Sequence, residues 1–98
     1  MLKNFRTYQL SVEFYREGQK IKMPCYLREQ FNRASSSICL NLAEGSGKRT
    51  AADQKKYYRI SLGSLRECQS ILDLVGDDCL IKLADFLGAC LWKICGTS

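Results

Sequence analysis

A single proline, Pro24, stands in the whole chain, and on both sides of it apolar residues recur every three or four positions. That combination constrains the fold most. Proline is the residue that ordinarily breaks a helix, and a 3.6-residue apolar period lets a helix bury one face. Segment 7–22 carries Tyr8, Val12 and Tyr15 with Leu10, Phe14 and Ile21 beside them. Met23-Pro24 ends it, because the residue before proline avoids the helical region and proline suits the first turn of the next helix. Segment 25–45 places Leu27, Phe31, Ala34, Ile38 and Leu42 on one stripe, and Gly45 reads as its glycine stop. After the loop Ser46-Gly47-Lys48-Arg49, the run Thr50-Ala51-Ala52-Asp53 reads as a capping box that opens a helix over 51–75. Its stripe is Tyr58, Ser61, Leu62, Leu65, Cys68, Leu72 and Val75. Gly76 stops it, Asp77 or Asp78 caps the next, and Leu80, Leu83, Leu87, Leu91 and Ile94 mark a last helix over 78–94. No stretch alternates strictly enough to read as a strand.

Four helices joined by short connections make antiparallel neighbours, so the expected fold is all-α: an up-down-up-down four-helix bundle forming one domain over 1–98. The chain is 46% apolar and 26% charged, too apolar for a disordered chain and too evenly charged for a membrane span. Its first residues do not lead into an apolar signal core, so a reducing cytoplasmic setting and no membrane contact are expected. The six cysteines, at 25, 39, 68, 79, 90 and 95, form no C-x-x-C pair. Cys90 and Cys95 are the closest, about 140° apart around a helix. This spacing argues against a thiolate metal site, and the cysteines read as free packing residues. The chain contains no histidine, which removes most zinc sites and every Ser/His or Cys/His nucleophile pair. Neither cofactor nor metal is expected, and the chain reads as no enzyme.

The middle of the chain carries a longer signature. The run Leu27-Arg28-Glu29-Gln30-Phe31-Asn32-Arg33-Ala34 is followed by Ser37-Ile38 and Asn41-Leu42-Ala43-Glu44-Gly45. After a basic loop come Tyr58, Ile60 and Gly63-Ser64-Leu65-Arg66-Glu67. This pattern resembles the bacterial four helix bundle protein family, also called 23S rRNA intervening-sequence proteins. The resemblance spans about residues 5–75. It implies a bacterial protein, a left-handed four-helix bundle and a homopentameric ring. It also implies a likeness to the accessory proteins of diversity-generating retroelements, which are pentamers that bind nucleic acid and a reverse transcriptase. The last helix is shorter and richer in cysteine than is usual in the family.

The polar half of that signature has a physical reading of its own. Arg33, Ser37, Asn41 and Glu44 share one face of the second helix. A hairpin pivoting near residue 48 sets Arg33 opposite Ser64 and Glu67. The spacing predicts an Arg33–Glu67 ion pair, with Ser37, Asn41 and Ser64 completing a polar ladder that fixes helix register. Glu44 and Glu67 as a catalytic carboxylate pair is the competing reading. The hairpin separates them by roughly 20 to 30 Å, so the network is read as structural.

Charge supplies the functional clue. Residues 1–66 hold thirteen basic and five acidic side chains, whereas residues 67–98 hold two and five. Lys48, Arg49, Lys55, Lys56 and Arg59 gather against the single acid Asp53. This basic hairpin reads as a nucleic-acid contact for RNA or DNA, or alternatively as an ordinary solvated helix terminus. Gly45-Ser46-Gly47 before Lys48 is no phosphate loop, because it follows a helix and not a strand. Tyr8, Phe14, Tyr15, Tyr57 and Tyr58 read as core or subunit interface before base-stacking platforms. A last helix that is apolar on more than one side predicts self-association; the pentameric number comes from the resemblance alone. The expected function is therefore a non-enzymatic oligomer that binds nucleic acid through the hairpin. The alternative is an assembly or adaptor module with a protein partner.

Overall fold

A short 3-10 turn (Leu2–Asn4) leads into α1 (Arg6–Lys20), α2 (Cys25–Ser46), α3 (Ala51–Val75) and α4 (Asp78–Cys95) in a computed structural model that describes residues 2–96. Each helix packs on its neighbours in the chain, and α1 closes the ring against α4. The contacts run in opposite directions along every adjacent pair. Gly45 lies against Tyr58 while Ser37 meets Ser64. Gly18 abuts Phe31 while Cys39 reaches Ser11. Gln69 meets Asp85 while Arg59 faces Cys95. The result is an antiparallel bundle measuring 40 × 25 × 21 Å. No described helix is long and apolar enough to cross a membrane.

The apolar stripes meet on the bundle axis. Phe14, Phe31, Ile38, Leu42, Leu65, Leu72, Leu87 and Leu91 are fully buried, each worth about 1.5–3 kcal/mol in removed apolar surface. The Phe14 and Phe31 rings tilt against each other with centroids 5.8 Å apart. Between α2 and α3 the seam is polar. The Ser61 hydroxyl donates to the Ile38 carbonyl at 2.9 Å and Ser64 donates to Ser37 Oγ at 2.9 Å. Asn41 Nδ2 donates to both the carbonyl and the hydroxyl of Ser37, at 2.9 and 3.0 Å. Small hydroxyls let the two helices approach while satisfying their own donors, and no buried side-chain N or O among the described residues lacks a partner.

The ends of the helices explain where the sequence pattern misleads. The α1 helix stops at Lys20, two residues short of the expected 22, and Ile21 is extended. The Arg28 guanidinium donates to the carbonyls of Gly18 and Ile21, so a side chain from α2 satisfies acceptors at the end of α1. Pro24 lies just outside α2 rather than in its first turn, and its carbonyl accepts from Leu27 and Arg28. Gly45 is not the stop: α2 runs on to Ser46, and Gly45 is buried inside it. A Cβ there would lie 2.7 Å from the Tyr58 ring, so this glycine serves close packing instead. Thr50 Oγ1 caps α3 by accepting from Asp53 N at 3.1 Å. Gly76, at φ 84°, ends α3 in the left-handed conformation. Asp77, not Asp78, caps α4.

All six cysteines are free thiols, but only Cys68 and Cys95 are buried; Cys39 and Cys90 are half-buried, and Cys25 and Cys79 are exposed. The packing role therefore fails for the two that sit beside the inter-helix turns. Burial pushes the Cys68 thiol up to about 12.

Candidate nucleic-acid interface

The up-down path carries four chain segments to one end of the bundle: the start of α1, the end of α2, the start of α3 and the end of α4. The Phe5 ring meets Tyr58 there, with centroids 5.8 Å apart, which ties the N-terminal turn to the hairpin. This end carries Lys3, Arg6, Lys48, Arg49, Lys55, Lys56, Arg59 and Lys93 against Glu44 and Asp53 alone. Eight cations and two carboxylates thus share one end, and three of the cations come from the chain's extremities.

The five cations picked out by sequence do three different things. Lys48 pairs with Glu44 at 3.1 Å and stands 5.0 Å over the Tyr57 ring. Its hydrogen bond to Glu44, followed by the charges of Tyr57 and Glu44, raises its pKa above the ordinary lysine value. Lys56 lies 6.0 Å from the Tyr57 ring but remains exposed. Lys55 is half-buried and packs on the end of α4, where a Cβ on Gly96 would lie 2.9 Å from its Nζ. There the ammonium sits beside the negative pole of a helix dipole. Arg59 faces Cys95; burial pushes that thiol up and the guanidinium opposes the shift. Arg49, Lys56 and Arg59 are exposed and form no ion pair among the described residues. The loop between them is held by Gln54 Nε2, which donates to the Lys48 carbonyl at 3.2 Å.

The signature residues divide as sharply. Ser64 reaches across the seam to Ser37 as the hairpin register predicts, whereas Asn41 bonds only to Ser37 within its own helix. Arg33 and Glu67 do not join the ladder. Both are exposed and form no ion pair among the described residues. An ion pair in water gains at most about 1 kcal/mol while fixing two long side chains, so neither is held to the seam. Glu44 also leaves the ladder and turns to Lys48 at the basic end. Sequence reasoning missed Ser61, whose hydroxyl closes on the Ile38 carbonyl, although its place on the α3 stripe was the available signal. It also missed Lys3, Arg6 and Lys93, for which only the topology carries a signal.

Among the described residues no three Cys, Asp or Glu side chains converge as metal ligands do. Chemically, the basic end offers multiple cation contacts to a polyanion. The sequence model of the 23S rRNA-intervening sequence protein family matches residues 3–88 of the chain. No curated protein and no solved structure matches it.

Proposed function

The chain belongs to the 23S rRNA-intervening sequence protein family, and on that premise we propose that it is a non-enzymatic, oligomeric nucleic-acid-binding protein whose contact surface is the basic end of the bundle. The observation that carries this reading is the concentration of eight cations against two carboxylates at one end, with Arg49, Lys56 and Arg59 pointing into solvent. The family's name, which refers to an intervening sequence of ribosomal RNA, supports RNA as the polyanion. Phosphate contacts release counterions, so affinity for RNA falls linearly on a log–log salt plot, by about 0.7 per phosphate neutralised on a single strand and 0.9 on a duplex. Fluorescence anisotropy with a labelled RNA and a labelled DNA across a salt series tests it. The expected slope is steep, on the order of −3 to −5, with little dependence on base sequence, because no element resembles a groove-reading helix. Undetectable binding at low salt, or an affinity indifferent to salt, defeats the proposal.

Self-association is part of the same reading. Tyr26, Leu40, Leu74 and Phe86 are more than half exposed, and apolar side chains left in water on several sides of so small a bundle support packing against further copies. A ring would repeat the basic end around one rim and multiply its field. The number we propose is five, from the family resemblance. Light scattering decides: a single-chain mass across micromolar concentrations refutes assembly, and a dimer or tetramer refutes only the number. The same apolar side chains favour the second reading, an adaptor for a protein partner. That reading predicts partner binding which survives neutralisation of the basic end.

A further inference from the structure

Between α3 and α4 runs a shallow groove of ≈ 510 Å³, walled by Arg66, Gln69 and Asp85 and by Gly88, Trp92 and Lys93. Its floor is Gly88, which is buried and where a Cβ would already touch Leu65 at 3.4 Å. Trp92 stands on the rim with 52% of its surface exposed, an amphipathic ring left partly open to solvent. The Tyr57 ring is approached by Lys48 and Lys56, whereas among the described residues no cation or second ring lies against Trp92.

The groove is continuous with the basic end. Lys55, Arg59 and Arg66 follow one another at steps of four and seven along the α4-facing edge of α3, a rise of about 16 Å. Lys93 answers them from α4. Arg66 is held in the wall by donating to Gln69 Oε1 at 2.8 Å, and Gln69 donates in turn to Asp85 at 3.1 Å. Asp85, the groove's one carboxylate, lies two turns back along α4 from Trp92 and closes the cationic track on that side.

We propose that this groove takes a single strand of RNA or DNA, with one base stacked on the Trp92 indole and the backbone following Lys55, Arg59, Arg66 and Lys93. The inference rests on the nucleic-acid reading above and narrows it to unpaired strands. A duplex offers phosphates but hides the faces of its bases, whereas a single strand offers both to a cationic track with one free aromatic ring.

Trp92 is the sole tryptophan in the chain, so intrinsic emission reports on this groove alone. The full chain is titrated with oligo(U), oligo(dT), a blunt duplex of equal length and inorganic polyphosphate. Tryptophan emission is read with unlabelled ligands and binding by anisotropy with labelled ones. Both single strands are expected to quench emission in step with binding, and duplex and polyphosphate to leave it nearly unchanged. Quenching by only one strand supports the groove and identifies the sugar it accepts. Trp92→Leu is expected to weaken single-strand binding at least about fivefold, the loss of one stacked base, and Trp92→Phe to recover most of it. Strands that bind without changing emission, or that bind Trp92→Leu as tightly as the parent, overturn the groove and leave the basic end standing as the contact. Absence of binding by every polynucleotide overturns both.

Discussion

The two ends of the bundle use their charges in opposite ways. At the end formed by the α1–α2 and α3–α4 turns, Arg28 fixes the carbonyls of Gly18 and Ile21, Lys20 pairs with Glu17 at 2.8 Å, and Asp77 caps α4. Cations and carboxylates there are nearly balanced: Lys20, Lys22, Arg28 and Lys82 against Glu17, Glu29, Asp73, Asp77 and Asp78. At the opposite end Thr50 caps α3 with a neutral hydroxyl and Lys48 finds Glu44, while Arg49, Lys56 and Arg59 remain unpaired among the described residues. A charge that closes a helix is explained by the fold. Cations that repel one another and close nothing destabilise the bundle slightly, and a polyanionic partner is the account that gives them a role.

The largest expected effect comes from the core between the two ends, where burial perturbs an ionisation. Burial keeps the Cys68 thiol protonated in the fold up to about pH 12, against an ordinary value of 9.0. Above pH 9 the unfolded chain therefore loses this proton first, and stability falls with rising pH until the folded thiol titrates too. The loss has an upper bound of about 1.4 kcal/mol for each pH unit in that window. Urea unfolding at pH 8, 10 and 11 measures it, and Cys68→Ala, less stable at pH 8, should show a shallower decline.

Removing a charge at the turn end should cost stability. Arg28→Leu strips the partner from two carbonyls and is expected to lower stability by about 2 kcal/mol, read as a lower thermal midpoint. An equal effect from Arg49→Leu, at the other end, would erase the distinction drawn above. Gly18 and Gly63 separate packing from exposure by one identical substitution. An added Cβ at Gly18 would lie 2.3 Å from the Phe31 ring, so Gly18→Ala should destabilise by about 1–2 kcal/mol. Gly63 is exposed in mid-helix with nothing within 4 Å. Gly63→Ala should therefore stabilise by about 0.5–1 kcal/mol, a rise visible in the urea midpoint.

Helix existence and order were legible because the 3.6-residue period is carried by every segment. The α3 span, 51–75, agrees with the structure at both ends because Thr50 and Gly76 are local signals. Ends set by distant residues were not legible: α1 stops where Arg28 arrives from the next helix, and Gly45 resembles a stop although Tyr58, thirteen positions later, explains it. The Ser37–Ser64 contact followed from hairpin register, which the short loop fixes. The Arg33–Glu67 pair failed because register brings backbones opposite without obliging two solvated side chains to meet. Five of the eight cations at the basic end were legible as a run of charge. Lys3, Arg6 and Lys93 join it only through the closure of α1 and α4 on the hairpin.

The central claim is that the cations gathered at the basic end, and not the chain's overall positive charge, bind nucleic acid. It is tested by neutralising each end in turn and measuring RNA binding by anisotropy over a salt series. The quadruple variant Lys48→Gln, Arg49→Gln, Lys55→Gln and Lys56→Gln should keep the fold and oligomer, lose retention at moderate salt, and flatten the slope by about one unit for each contact removed. The variant Lys20→Gln, Lys22→Gln and Lys82→Gln, at the opposite end, should bind as the parent does. If the two variants weaken binding alike, or the quadruple variant keeps the parent's affinity and slope, the basic end is not the contact site.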